Sequence, residues 1–319
     1  MAQDIATIPN VGSNPLNGAG GFTFDPPFCS IPPTTPYSYT IVGALSGVYP
    51  VGTGQVYPSL TAAISDLNIK EVVAPVTFEL WDATYSTGES FPLTIYPYAG
   101  ASAANTVSFK PKASVSATVT GSSGTGLLVM NGCQFITIDG SNSGGNDKNL
   151  AWENTNTSNN TYTLGFLNNG ATGASNCTIQ NCILKASPQL SNNTYGIFLN
   201  QAGGGYSNIV IDNNSIFSAR YGIQFGGISG TPALNGQITN NIIGTNTDAS
   251  AIKYCGILVS QADNTLIQGN EIMGAPSGNA NSQQSAVWLS AGATNTKIRK
   301  NSMHDFYYTG TSGYGTFAI

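Results

Sequence analysis

The stretch "IQGNEI" (267–272) shares its frame with "ITNNII" (238–243), "IDNNSI" (211–216) and "IRKNSM" (298–303). Each holds an apolar residue, two variable residues, an asparagine, one further residue and a second apolar residue. The asparagines are Asn214, Asn241, Asn270 and Asn301, in steps of 27, 29 and 31 residues (241−214, 270−241, 301−270). Steps this uneven do not suit a duplicated tandem motif. They suit a structural repeat with one fixed coil and loops of free length.

A second register runs through the same region. "GIFL" (196–199), "GIQF" (222–225), "GILV" (256–259), "AVWL" (286–289) and "GTFA" (315–318) precede or follow the asparagine motifs. Each repeat therefore reads as two clear strands, a G-Φ-x-Φ strand and an Φ-x-x-N-x-Φ strand with a bend, where Φ is apolar. "CTIQNCIL" (177–184) joins the asparagine series with Cys182 at the asparagine position, and "FITIDG" (135–140) begins it. No helix is expected after about Val115. Repeats of this length without helices point to coils stacked into a solenoid. An up-and-down barrel or a sandwich would need a series of two-residue Asn-Gly or Asp-Gly hairpins, and none is present.

The asparagines then have a physical role. In a parallel β-helix each coil climbs about 4.8 Å, so equivalent residues lie above one another. Asparagine tolerates left-handed backbone at a bend, and its amide both donates and accepts. Asn214, Asn241, Asn270 and Asn301 are expected to take that conformation and to form an internal amide ladder. That is a scaffold role, preferred over ligand binding.

The flanks read differently. Residues 1–36 carry Pro9, Pro15, Pro26, Pro27, Pro32, Pro33 and Pro36 among glycines, as an extended arm or linker does. Residues 37–114 hold the short strands "YTIV" (39–42), "VTFEL" (76–80), "LTI" (93–95) and "VSF" (107–109). Between them "SLTAAISDLN" (59–68) is a helix, with Ser59 as N-cap and Leu60, Ala63, Ile64 and Leu67 on one face. Residues 37–114 are thus expected to hold the N-terminal cap and the first β-helix coils, and 115–319 the parallel β-helix with the asparagine ladder.

Composition limits the function classes. Only 8% of the 319 residues are charged, against roughly 25% in an average soluble domain. Polarity comes from Asn, Ser, Thr, Gln and 38 glycines, the make-up of a turn-rich extracellular β-protein. A net charge of −5 with ten Lys+Arg excludes a nucleic-acid face and a polybasic membrane patch. The longest apolar run, "GLLVM", is far short of the roughly 20 residues of a membrane span. "MAQDIATIPN" is not a secretory signal; a mature exported chain is the preferred reading over a cytosolic one. The five cysteines (Cys29, Cys133, Cys177, Cys182, Cys255) have no Cys-x-x-Cys spacing, and with one His they make no zinc site. They read as mostly buried small hydrophobes, a Cys177–Cys182 bridge being the less favoured alternative.

The laddered coils resemble the right-handed parallel β-helix of the pectin-lyase-like superfamily. "YTIVGALSGVYPVGTGQVYPSLTAAISDLN", "VVAPVTFELWDATYSTGESFPLTI", "NTVSFKPK" and "FITIDGSN" resemble the entry segment of large secreted β-helix proteins of Bacteroidota, many of which use type-nine secretion. The likeness covers about residues 37–319. It implies that the helix "SLTAAISDLN" covers the N-terminal end of the solenoid. "GTFAI" ends in mid-strand, so further coils, further domains or a partner are expected beyond Ile319.

Catalytic β-helices of this superfamily gather charges on one strip, either acids that hold calcium with a Lys or Arg base, or paired carboxylates. The outward residue after the first apolar position reads, coil by coil, Asp139, Gln180, Asp212, Thr239, Gln268, Arg299. Acids are never on neighbouring coils there, and "KIRK" (297–300) is only faintly like a polygalacturonase basic motif. His304 beside Asp305 offers a general acid/base pair, but the preferred reading is an exposed turn residue. Asp82 and Glu89 are read as loop-solubilising acids rather than a cation site. Tyr206, Tyr221, Trp288, Tyr307 and Tyr308 could stack on sugars if exposed, Trp288 being read as core or inter-coil packing. Scattered threonines exclude an ice-binding array.

The sequence thus reads as a non-catalytic, secreted, cell-surface stalk or adhesin module with a polysaccharide or cell-surface ligand. The alternative is a polysaccharide lyase or glycoside hydrolase. No residue is assigned a catalytic, cofactor or metal-binding role.

Overall fold

The strand Val210–Asp212 is only three residues long because left-handed Asn208 (φ 53°) and Asn213 (φ 50°) turn the chain at both ends. The same bracketing, five residues apart, recurs at Asn176/Asn181, Asn235/Asn240, Asn264/Gly269 and Asn295/Lys300. Asparagine and glycine reach this region at low cost. The positive φ therefore falls one residue before each ladder asparagine, not on it. Asn213 bends the backbone so that Asn214 can turn inward.

A computed structural model describes residues 5–8, 37–40, 43–199, 205–274, 284–306 and 315–319. The chain divides into two units, residues 1–44 and 45–319. In the first, Ile5–Ile8 pairs antiparallel with Tyr37–Thr40. Most of the Pro/Gly-rich arm, with Cys29, lies outside the described residues.

The second unit is a parallel β-helix of three sheets with nine, eight and nine strands. A coil such as 210–226 supplies Val210–Asp212 to the first sheet, Ser215–Phe217 to the second and Ala219–Gly226 to the third. This coil thus has three strands where the sequence pattern shows two, and three later coils add a short fourth strand, Ala233–Leu234, Ala262–Asp263 and Ala293–Thr294, in a small parallel sheet of their own. The asparagine motif reads as one strand in sequence but turns a corner at its centre, so its two apolar residues lie in different sheets.

Strict stacking follows from the register. Ile138, Ile179, Ile211, Ile238, Ile267 and Ile298 align in the first sheet. Trp152, Leu184, Ile216, Ile243, Ile272 and Met303 align in the second. Leu164, Ile197, Ile223, Ile257 and Val287 align in the third. Most of these side chains are fully buried, so every coil adds like-on-like apolar contact to the next.

The inner ladder runs between the first two sheets. Asn241 Nδ2 donates to Ile211 O (2.9 Å) and Asn270 Oδ1 (3.0 Å), while its Oδ1 accepts from Asn214 N (2.9 Å) and Asn214 Nδ2 (3.0 Å). Asn270 repeats this pattern with Asn301. Cys182 stands at the next position, where its backbone N donates to Asn214 Oδ1 (3.0 Å). Cys133, Cys177, Cys182 and Cys255 are all buried free thiols, so Cys177 and Cys182 are not bridged.

The glycine of the G-Φ-x-Φ register is required by close approach. A Cβ on Gly222 would lie 2.5 Å from Ile243 Cγ2 and 2.6 Å from Gly256 O, and Gly196 and Gly256 are as tightly enclosed. Gly222→Ala is expected to destabilise by about 1–2 kcal/mol through overpacking. A denaturation midpoint equal to the parent's would show that this position has spare room.

At the first coils, Ser59 Oγ accepts from Ala62 N (3.1 Å) and starts the helix α1, Leu60–Leu67. Its buried face is Leu60, Ala63, Ile64 and Leu67, as the sequence pattern requires. Asn68, its C-cap, ties the helix to the third sheet by donating to Thr94 O (2.8 Å) and accepting from Tyr96 N (2.9 Å).

Candidate ligand-binding face

The outer surfaces of the three sheets differ in chemistry. On the first sheet, Asp139, Gln180, Asp212, Thr239, Gln268 and Arg299 do align in one column. The two acids are a coil apart from each other's neighbours, and both are engaged. Asp139 Oδ1 accepts from Ser141 N (2.9 Å) and Asn181 Nδ2 (2.7 Å), and Asp212 Oδ1 accepts from Asn240 Nδ2 (2.8 Å) and Thr239 Oγ1. They belong to an outer amide network, continued by Asn213 Nδ2 donating to Asn181 Oδ1 (2.7 Å).

A further outer ladder, Asn176–Asn208–Asn235–Asn264, was not read from the sequence; its signal is the asparagine five positions before each bend. Asn208 donates to Asn176 (2.9 Å) and Asn264 to Asn235 (2.9 Å). An open depression of about 540 Å³ lies along it, lined by Asn235, Asp263, Asn264, Asn295, Thr296 and Lys297. Asp263 there is tied by Thr294 and Asn295, which hold its carboxyl below the usual range.

The acids near the helix are structural. Glu89 Oε1 accepts from Leu60 N (2.8 Å), and its Oε2 from Thr61 N (2.7 Å) and Thr61 Oγ1 (2.6 Å). It caps α1 from 29 residues away, so its role is not loop solubilisation. Asp82 Oδ2 accepts from Thr53 N (2.7 Å) and Thr53 Oγ1 (2.8 Å) and pins an early loop.

On the second sheet, His304 ends the strand Ser302–His304 and is not unpartnered. Nδ1 lies 2.9 Å from Asp305 Oδ2, and Nε2 lies 3.2 Å from Glu271 Oε1 on the adjacent strand. The sequence reading missed Glu271 because it lies 33 residues away. Hydrogen bonds donated by the ring to Asp305, then to Glu271, raise the imidazole pKa above its usual value of 6.5. A raised folded pKa makes this bridge a stabilising contact below pH about 6.5, lost as pH rises through the folded pKa. The chain's single histidine should titrate above 6.5 by NMR, and Glu271→Gln should move it down; a midpoint at or below 6.5 would contradict the bridge.

The third sheet carries rings. Tyr162, Tyr195 and Tyr221 are in register on three consecutive strands. Ring centroids are 5.3 Å apart for Tyr162–Phe198, 4.9 Å for Tyr195–Phe198 and 5.0 Å for Tyr195–Tyr221. The run continues through Tyr221–Tyr254 (5.1 Å) to Tyr254–Trp288 (6.0 Å). Tyr162 lies down on the sheet only because Gly126 and Gly165 have no side chain: a Cβ on either would fall 2.1 or 2.2 Å from its ring. Tyr162 and Tyr195 are buried as the floor, while Phe198, Tyr221, Tyr254 and Trp288 are half-exposed. Burial pushes the Tyr162 hydroxyl up to about 12 and raises Tyr195, Tyr221 and Tyr254 in the same direction.

Two sequence readings are decided here. Trp288 takes the inter-coil alternative of its reading, an outward ring packed on Tyr254 of the preceding coil, and is not core. Tyr206 is fully buried, its hydroxyl donating to Phe166 O (3.1 Å). Tyr307 and Tyr308 lie outside the described residues. Phe198 and Tyr254 were missed: Phe198 occupies the same outward x position of "GIFL" that Trp288 holds in "AVWL", and Tyr254 lies before the "GILV" frame.

The described strands of this sheet contain no Asp, Glu or His, and their only charged residues are Arg220 and Lys253. The Arg220 guanidinium lies 4.9 Å over the Tyr254 ring and donates to Leu190 O. Lys253 Nζ pairs with Asp248 Oδ1 at 2.6 Å. Among the described residues no group of three or more His, Cys, Asp or Glu side chains is placed to hold a metal ion.

A family profile described as "Right handed beta helix region" matches residues 165–317, and the fold is a right-handed parallel β-helix. No curated protein matches the chain in sequence. Among solved structures, the GH136 lacto-N-biosidase from Eubacterium ramulus is similar at 12% identity and TM-score 0.53, over 82% of this chain and 56% of that one. The chain thus spans little more than half the length of that structure. The alginate lyase from Paenibacillus sp. str. FPU-7 is similar at 12% identity and TM-score 0.42, over 85% and 98% of the two chains. PfbA, a surface adhesin of Streptococcus pneumoniae, is similar at 11% identity and TM-score 0.34, over 74% and 72%.

Proposed function

We propose that this protein is a non-catalytic, secreted or cell-surface β-helix whose third sheet binds glycans, serving as a stalk or adhesive module. The observation that carries the reading is the run of six rings on a sheet whose described strands hold no carboxylate and no imidazole. Aromatic faces offer flat apolar area to the C–H faces of sugars. Cleavage of a glycosidic bond needs a positioned acid and base within reach of the bound sugar, and this sheet supplies neither. Low charge and abundant Asn, Gly, Ser and Thr support an extracellular setting. No helix among the described residues is long and apolar enough to cross a membrane.

The alternative, a polysaccharide lyase or glycoside hydrolase, has one observation in its favour, the Glu271–His304–Asp305 cluster on the second sheet. One experiment separates the two. Polysaccharides are incubated with the protein, and both retention and product release are measured. Retention without products, weakened by Trp288→Leu, is the expected result. Release of reducing or unsaturated sugars that disappears in Glu271→Gln would replace the binding reading with the enzymatic one.

A further inference from the structure

We infer that the ring-bearing face takes a neutral, linear glycan laid along the solenoid axis, one sugar-stacking ring per coil, rather than an anionic one; this rests on the glycan-binding reading above. The direction follows from the register. The half-exposed rings Phe198, Tyr221, Tyr254 and Trp288 sit on four successive strands, over the buried Tyr162 and Tyr195. Three coil steps of about 4.8 Å give a run of roughly 14 Å along the axis. A ligand following the rings crosses coils; one wrapping around a coil would meet a single ring and then a corner.

The charge follows from the partners. An anionic polymer needs cations that are free to meet it. Arg220 lies over Tyr254 with a donor committed to Leu190 O, and Lys253 is 9% exposed and paired with Asp248. Asp248 neutralises Lys253, and Arg220 is then a single cation among the rings, too few to hold a polyanion along the face. The tyrosine hydroxyls are un-ionised at neutral pH as ordinary phenols are, and burial raises Tyr162, Tyr195, Tyr221 and Tyr254 further from ionisation. They are neutral donors and acceptors beside flat apolar faces, which is what an uncharged sugar with equatorial hydroxyls presents in return. A net charge of −5 further opposes a polyanion.

The test is calorimetry on the full chain with neutral oligosaccharides (β-glucan, mannan, xylan and galactan series of increasing length) and with oligogalacturonate and oligoalginate. Affinity for a neutral series should rise with ligand length and stay constant between low and high salt. Tyr254→Leu and Trp288→Leu, which keep apolar bulk but remove a ring, should each weaken long ligands about 2–10-fold and leave the shortest ones less affected. Circular dichroism confirms that each variant is folded. Preference for the uronate series with affinity falling in salt would overturn the neutral assignment while leaving glycan binding intact. Neutral binding without length dependence would overturn the axial path. If no glycan binds and neither variant differs from the parent, the glycan-binding reading itself falls.

Discussion

Asn241→Ala is expected to lower the stability of the β-helix by about 3–4 kcal/mol, the largest effect of any single side-chain truncation considered for this fold. Asn241 is fully buried and makes four hydrogen bonds. Alanine removes them and leaves Asn214 N, Asn214 Nδ2 and Ile211 O without those partners in a corner closed to water. A buried polar group left unpaired costs about 1–3 kcal/mol, and partial relaxation keeps the total below the sum. The thermal midpoint should fall by about 6–16 °C at 2–4 °C per kcal/mol. Asn240→Gly is the control: it removes an exposed amide at a left-handed bend where the next coil already has Gly269. That change should cost less than about 1 kcal/mol. Equal midpoints for the two variants would mean that the inner ladder is not a principal support.

Glu89→Ala should cost about 2–3 kcal/mol and act at the opposite end of the solenoid. The carboxylate receives two backbone N–H groups and one hydroxyl from the first turn of α1. These are helix N–H groups without an intrahelical partner, and a negative charge there also meets the positive end of the helix dipole. Hydrogen bonds to a charged acceptor are worth about 1.5–3 kcal/mol each when intact, reduced here by partial exposure. Amide hydrogen exchange should quicken at Leu60 and Thr61 and across the helix, with the coils around Asn241 unchanged. Glu89→Gln should retain part of the protection. Protection unchanged in Glu89→Ala would assign the capping to Ser59 alone.

Much of the fold was legible because it is periodic. The asparagine frame at 214, 241, 270 and 301 and the glycine frame at 196, 222 and 256 report the two sites where adjacent coils most narrow the choice of side chain, Cys182 and Ala286 being the departures at the ends of the two series. One is a buried amide that pairs with its own copies; the other is a position within the third-sheet strands, packed against a second-sheet isoleucine, with little space for a Cβ. The helix was equally plain, since Ser59 and the stripe Leu60, Ala63, Ile64 and Leu67 are local signals. The left-handed residue was displaced by one because Asn213–Asn214 and Asn240–Asn241 are both amide pairs, and composition does not say which member bends and which points inward.

What the sequence by itself determined is therefore the repeat: its inward-facing residues, its corners and the coil-by-coil column from Asp139 to Arg299, all fixed by residues whose spacing is local. What only the tertiary structure decided is which outward side chains meet across coils. Glu271 reaches His304, Glu89 caps a helix before it in the chain, and Phe198, Tyr221, Tyr254 and Trp288 join into one face. The loops between coils differ in length, so the separations of such partners in the chain vary, while stacking returns each to within hydrogen-bond or ring-contact distance. The coil's constant climb is a property of the folded backbone, and no local pattern of residues carries it.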